Sequence, residues 1–183
     1  MGRPKALVEL AGEPLVRRAL RVLADGGCDP LLVVVGAAAD EVRAVLPAGV
    51  PSVVASGWAE GMGASLRAGL AALQDTPADA ALVHLVDLPG VTAAAVARLV
   101  AAADGPGSLA RAAYAGRPAH PVLIGRSHWA PVREVASGDA GARGYLAQRS
   151  VRLVECGDLA VPDDVDTPEQ LGRFRPATGT DRR

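Results

Sequence analysis

Aromatic residues are scarce in this chain, at 3% of 183 residues, with one Phe, two Tyr and two Trp. That scarcity argues against a surface that stacks nucleobases. A basic excess is missing as well: the formal net charge is -1, so nucleic acid is not expected as a partner. No apolar run approaches the roughly 20 residues that cross a bilayer, and the N-terminus carries no apolar signal-peptide core. No membrane association is therefore expected, and a cytoplasmic location follows by default. Cysteine is nearly absent. Cys28 and Cys156 form no metal-spaced pair and read as small, buried or half-buried thiols. Internal repeats and a convincing interdomain linker are also lacking.

What is present is an apolar, domain-sized chain. Half of its residues are hydrophobic, and its length suits one domain with a proper core. Apolar runs alternate with helix-period segments. Leu15, Val16, Ala19, Leu20 and Leu23 have helical spacing over residues 14–24, and Asp25-Gly26-Gly27 ends that helix. Residues 31–35 and 80–86 read as strands buried on both faces, and 52–55 as a short strand. Residues 40–46 and 64–73 read as helices. Thr92 is placed to cap a helix that runs to Ala102.

Beyond the Gly105-Pro106-Gly107 break, residues 109–114 and 121–124 flank a Gly116-Arg117-Pro118 turn and look like paired strands. Helices near 130–135 and 142–148 and a last strand over 151–155 follow. Thr167-Pro168-Glu169-Gln170 has the form of a capping box with Pro at the first helical position. From Arg175 onward the chain is polar and reads as a frayed tail over 175–183. The fold class expected is α/β: a three-layer α/β/α sandwich on a mostly parallel mixed sheet, as one domain over 1–174.

Ligands bind such sheets at the carboxyl ends of strands. That rule singles out Asp87, after the apolar run ending at Val86, as a holder of a divalent cation; its bland reading is a turn former. Asp164 and Asp166 alternate before the capped helix. Asp166 can share an ion with Asp87, since Mg²⁺ takes a few carboxylate oxygens plus phosphates and water, or it can simply favour the helix N-terminus. The segment Gly57-Trp58-Ala59-Glu60-Gly61-Met62-Gly63-Ala64-Ser65-Leu66 is a Gly-rich loop opening a helix. Its glycines allow backbone approach to a ligand, and Ser65 sits in the first helical turn. The alternative is an ordinary loop with a buried Trp58. Arg67 reads as a solvated helix residue, His84 as a satisfied core residue and His128 as surface. His120 follows a turn, and Asp139 is either a site residue or a plain N-cap. Met1-Gly2-Arg3-Pro4-Lys5-Ala6-Leu7 reads like the back half of a phosphate-binding loop, with Lys5 placed to neutralise phosphates.

Each signal is weak alone, but the order is distinctive. Arg3-Pro4-Lys5-Ala6-Leu7, Gly12-Glu13-Pro14-Leu15, Trp58-Ala59-Glu60-Gly61-Met62 with Ser65-Leu66, Asp87-Leu88-Pro89, Gly116-Arg117-Pro118-Ala119-His120-Pro121, Gly138-Asp139-Ala140-Gly141-Ala142-Arg143 and Asp164-Val165-Asp166-Thr167-Pro168-Glu169 follow one another. The series resembles the molybdenum cofactor cytidylyltransferase family, within the nucleotidyltransferases built on a Rossmann-like sheet, over residues 1 to about 172. Gly61-Met62 and Pro4 favour the cytidylyl over the guanylyl branch.

The resemblance implies a Mg²⁺-dependent enzyme that joins CMP from CTP to molybdopterin and releases pyrophosphate. It implies Asp87 and Asp166 as metal ligands and Lys5 as the phosphate-neutralising residue. Gly61, Met62, Ser65, His120 and Asp139 would lie on the pterin side. A molybdenum hydroxylase apoenzyme is the implied recipient of the product. Two alternatives remain: transfer to another phosphorylated acceptor, or non-catalytic binding and delivery of the cofactor. Some relatives carry an oxidoreductase label, yet no redox motif is visible. The family pattern also carries an apolar strand and a Gly-rich loop ahead of the segment matching Met1. The expectation is that this sequence lacks that first strand and loop because the natural protein starts upstream; the other reading is a shortened chain with a binding role only.

Overall fold

The structure, a computed structural model, describes residues 3–174. The tail expected over 175–183 lies outside the described residues. A 3-10 turn (Lys5–Leu7) leads into a hairpin of β1 (Glu9–Leu10) and β2 (Glu13–Pro14), which was not expected from the sequence. Its bend places Ala11 (φ 53) and Gly12 (φ 80) in the left-handed region, which explains a glycine at position 12.

Helix α1 (Leu15–Asp25) follows and buries Leu15, Val16, Leu20 and Val22. Next come β3 (Val33–Val35), α2 (Ala39–Ala44), β4 (Ser52–Val54), α3 (Met62–Ala72) and β5 (Ala80–Val83). Then come α4 (Ala93–Val100), β6 (Leu109–Tyr114), β7 (Arg117–Gly125), α5 (Trp129–Val135), α6 (Arg143–Ala147), β8 (Arg152–Glu155) and α7 (Pro168–Gly172). Thr92 caps α4 by accepting from the Ala95 N–H, and the Thr167–Gln170 capping box is formed, with Pro168 at its start.

Two strands are shorter than the apolar runs suggested. The run over 80–86 stops laddering at Val83, because its antiparallel partner β7 supplies only Val122 through Gly125 against it. Asp87 therefore sits four residues past the strand, in a loop, and not directly at its end. Only Val35 of β3 is fully buried, so that strand is not covered on both faces. β7, by contrast, is longer than expected and carries Pro118 and Pro121 within it. Its register with β6 shifts between Arg111 and Ala113, the kind of irregularity at which a sheet tolerates proline.

Alternation across the sheet sets the layers. Ala81, Val122 and Ile124 face one side and pack with Leu70 of α3 and Trp129 and Val132 of α5. Leu82, Ala110 and Leu123 face the other, toward Val96 and Leu99 of α4, which lies against α1. The result is the expected α/β/α sandwich with a mixed sheet. Its parallel share is smaller than expected, because the hairpin arm β7 inserts antiparallel between β5 and β6. The strand order is β5-β7-β6-β8, with β6 and β8 parallel. β3 and β4 form a separate parallel pair. Between β3 and β5 lies a cavity of about 700 Å³, lined by Val33, Val34, Leu82 and Val83, by Gly69 and Leu70 of α3, and by Leu20 of α1.

Candidate active site

Asp87 is held by its loop rather than by a strand. Leu88 is buried, in a cluster with Val22, Val91 and Val96. Arg18 of α1 donates from Nε (3.1 Å) and Nη2 (3.0 Å) to the Pro89 carbonyl. The second carboxylate arrives from 79 residues away in the sequence. The Val165 N–H donates to the Asp87 carbonyl at 2.9 Å, and the fully buried Val165 side chain anchors among Val8, Leu10, Leu15 and Leu171. Asp166 follows directly, and its N–H is held by Gln170 Oε1 at 2.7 Å. The capping box thus fixes the Asp166 backbone as well as starting α7.

Lys5 completes the group. Its Nζ donates to Asp87 Oδ2 at 2.7 Å and to Asp166 Oδ1 at 2.5 Å. Leu7, two residues on, is buried with Val16, Leu20, Val35 and Val42, and so pins the turn that carries Lys5. Burial alone would lower the Lys5 pKa; the hydrogen bonds to Asp166 and Asp87 outweigh it and hold the ammonium above its ordinary value. In return the Lys5 hydrogen bond holds the Asp166 carboxyl below its ordinary range. Among the described residues no three His, Cys, Asp or Glu converge as a metal cage. Two carboxylates suffice for Mg²⁺, which completes its shell with water and substrate phosphates. An ammonium already stands between the two carboxylates, so the donor set fits a cation.

Asp87, Asp164, Met62, Ser65 and His120 line the cavity described above. Lys5, which donates to both Asp87 and Asp166, stands at its rim. Gly61 and Asp139 are brought together and are not among the residues that line the cavity. At Gly61 (φ 112) a Cβ would lie 2.7 Å from Asp139 Oδ1, and at Gly63 a Cβ would lie 2.7 Å from the Ser137 backbone. These glycines are therefore needed for packing of the α3 N-terminus on the turn over 137–139. Gly63→Ala is expected to lower stability by about 1–3 kcal/mol through overpacking, read as a fall in thermal midpoint; an unchanged midpoint would show that the turn moves freely. Asp139 does not cap α6, whose N-cap position is Ala142, without a side-chain cap.

His120 Nδ1 lies 3.5 Å from the Val83 carbonyl. Burial, reinforced by Arg111 and Arg143, lowers its pKa against the opposing effects of the Val83 carbonyl and Asp87. Arg111 and Arg143 line the same cavity. Arg111 was missed in the sequence, though a charge within the otherwise apolar strand Leu-Ala-Arg-Ala-Ala-Tyr is a usable signal. Lys5 carries a second missed signal: it is the only lysine in a chain with 19 Lys and Arg combined.

Other residues depart from expectation. Trp58 is 48% exposed; the buried indole is Trp129, whose Nε1 donates to the Ile124 carbonyl at 2.8 Å. Arg67 is a tie, donating to the Ala136 carbonyl and to Glu60. His128 contacts the Tyr145 hydroxyl (2.7 Å) and the Gly107 carbonyl (3.0 Å). Cys156 is buried and Cys28 half-buried, both free, as expected.

His84 is not a satisfied core residue: its buried Nδ1 has no partner among the described residues. Burial, with the adjacent His120, pushes its pKa down to about 4. The unfolded chain then binds a proton below about pH 6.5 that the folded protein refuses until about pH 4. Stability contributed by the neutral ring is complete above pH 6.5 and lost as pH falls through that window, by on the order of 3 kcal/mol. Denaturation midpoints at pH 7 and pH 4.5 should show this slope, and His84→Gln should flatten it; a slope unchanged in that variant would assign the effect elsewhere.

Comparison with known proteins agrees with this geometry. Residues 1–153 match the MobA-like NTP transferase domain. Nicotine blue oxidoreductase of Paenarthrobacter nicotinovorans is 39% identical, over 95% of this chain and 89% of that protein. The crystal structure of a Mycobacterium tuberculosis Rv0371c homologue from Mycobacterium sp. strain JC1 superposes with a TM-score of 0.77 at 30% identity, covering 94% of this chain and 87% of that one. A manganese complex of Rv0371c from M. tuberculosis H37Rv gives a TM-score of 0.74 at 27% identity, covering 93% and 90%. With the match running through most of the domain, from the Lys5 turn to β8, this chain belongs to the MobA-like NTP transferase family of nucleotidyltransferases.

Proposed function

We propose that this protein transfers CMP from CTP to the terminal phosphate of molybdopterin with the help of a divalent cation, Mg²⁺ in the cell. An acceptor phosphate oxygen bonds to the α-phosphorus of CTP, the bond from that phosphorus to the bridging oxygen breaks, and pyrophosphate leaves with the electron pair. Such transfer depends on alignment and charge neutralisation more than on covalent participation by side chains. The observation that carries the reading is the convergence of Asp87, Asp166 and Lys5 at the rim of a cavity whose lining also includes Arg111, His120 and Arg143. One part suits a cation and a polyphosphate; the other suits an anionic acceptor.

Asp87 and Asp166 would hold the cation, which lends positive charge to the phosphates when bound. Lys5 neutralises phosphate oxygens. Arg111 and Arg143 draw in the acceptor phosphate, and neutral His120 presents a ring nitrogen to the acceptor. The manganese complex of Rv0371c supports a cation on this fold. The test is pyrophosphate release from CTP, GTP and ATP with Mg²⁺ and molybdopterin. Release with CTP and acceptor together is the expected result, and no release with any triphosphate would overturn it. Tight molybdopterin binding without release would instead mark a delivery protein for a molybdenum hydroxylase.

A second reading follows from the 39% identity to nicotine blue oxidoreductase: an oxidoreductase acting on nicotine blue or a related conjugated ring compound. Turnover of nicotine blue in the presence of a two-electron donor such as a reduced nicotinamide nucleotide, followed by its absorbance, together with no pyrophosphate release, would favour it.

A further inference from the structure

Two carboxylates that converge on one point each raise the cost of ionising the other, and a counter-charge between them removes that cost. Here the point of convergence is a single nitrogen. Lys5 Nζ takes Asp87 Oδ2 at 2.7 Å and Asp166 Oδ1 at 2.5 Å, and the two carboxylates come from segments tied by Arg18–Pro89 and Gln170–Asp166 and joined to each other by the Val165 N–H on the Asp87 carbonyl. An ammonium is a compact point charge with three donors, whereas a guanidinium is a flat fork. In a chain whose other basic side chains, histidine aside, are all arginine, the one lysine stands at this point.

We infer that Lys5 is a placeholder: in the nucleotide-free protein its ammonium occupies the position of the divalent cation between Asp87 and Asp166, so that Lys5 and the cation exclude one another there. The inference rests on the nucleotidyltransferase reading and adds to it an order of events. A free cation must compete with an ammonium tethered to the same chain, so it binds weakly. A triphosphate offers that ammonium new oxygen partners. When the nucleotide arrives with its cation, Lys5 leaves the carboxylates for the phosphates, and both carboxylates are freed at the same moment. Cation and nucleotide therefore strengthen each other's binding, and the coupling is reciprocal. The two carboxylates stay aligned before loading, and only the Lys5 side chain has to move to admit the cation.

Because Lys5 is the only lysine, an amine-directed reagent modifies it and the chain's terminal amine alone, and mass spectrometry separates the two. The test measures the methylation rate of Lys5 in the wild-type protein without additions, with Mg²⁺, and with Mg²⁺ plus CTP. In parallel, Mn²⁺ binding is followed by electron paramagnetic resonance for the wild type and Lys5→Met, with and without CTP. The expected result has three parts. Mg²⁺ alone speeds labelling of Lys5, and CTP with Mg²⁺ slows it again. Lys5→Met binds free Mn²⁺ about tenfold tighter than the wild type, within the usual range of coupling between sites. CTP strengthens Mn²⁺ binding more in the wild type than in the variant.

Unchanged labelling with Mg²⁺ would overturn the inference even if Lys5→Met bound Mn²⁺ more tightly, since charge alone would then account for that affinity. Equal Mn²⁺ affinities in the two proteins would overturn it while leaving the carboxylate metal site standing. No Mn²⁺ binding by either protein, with or without CTP, would remove the metal reading itself and this inference with it. The labelling arm uses the unmodified protein, so a poorly folding variant does not decide the outcome.

Discussion

Asp87→Asn is expected to reduce nucleotidyl transfer by about 10³-fold, equivalent to roughly 4 kcal/mol of transition-state stabilisation, with little change in fold. The substitution keeps the side-chain shape and the Asp87 main-chain carbonyl that accepts from Val165, so the anchor for the Asp166 segment survives. What is lost is one of the two negative charges at the rim. The remaining carboxylate, Asp166, is the more exposed, its side chain at 55% against 20% for Asp87, and an exposed carboxylate alone holds a divalent cation poorly in water. Turnover should fall mainly through kcat, with Mn²⁺ binding weakened in parallel. A variant that retains both within a factor of a few would show that Asp87 is not a cation ligand. Asp166→Asn is expected to act in the same direction and more weakly, because its exposed position leaves more room for water to substitute.

Trp129→Ala is the substitution expected to cost most stability, about 3–5 kcal/mol from the loss of a buried aromatic side chain and the cavity it leaves. The indole is fully buried among Leu70, Ile124, Val132, Tyr145 and Leu146, where α3, α5 and α6 meet the sheet. Its Nε1 also satisfies the Ile124 carbonyl at 2.8 Å, and stranding that acceptor adds about 1–3 kcal/mol. At roughly 2–4 °C per kcal/mol for a domain of this size, the thermal midpoint should drop by about 10 °C or more. Trp129→Phe keeps most of the apolar volume and should recover most of the loss. A midpoint within about 2 °C of wild type for the alanine variant, on the same scale, would mean that α5 is not a structural pillar of this face.

The distribution of these roles explains how much of the molecule was legible in advance. Helix α1 was readable because a 3.6-residue period is local: Leu15, Val16 and Leu20 lie on one face wherever that face packs. Thr167 through Gln170 was readable for the same reason, since a capping box involves a four-residue window. Asp87 was placed near a site by the general behaviour of α/β sheets, although its distance beyond β5 was misjudged. A run of apolar residues carries no mark of where its ladder ends; the partner strand decides that, and the β5–β7 ladder ends at Val122. The glycines at 61 and 63 suggest backbone approach to a ligand, whereas in the structure a Cβ at either would meet residues 137–139. A missing Cβ records that something is near without recording what.

By itself, then, the sequence determined the alternation of helices and strands, the apolar faces that make a three-layer sandwich, and the presence of acidic, basic and glycine-rich segments in a recognisable order. Only the tertiary structure decided that Val165 would bond to Asp87, that Asp87 and Asp166 would meet on one ammonium, that Arg111 and Arg143 would line the same cavity, and that β7 would lie between β5 and β6. The physical reason is range. Periodicity, capping and turn preference act over a few neighbouring residues, so they leave a local imprint. Contacts between residues 5, 87 and 166 are selected by how whole elements pack, and that energy is a property of the assembled core.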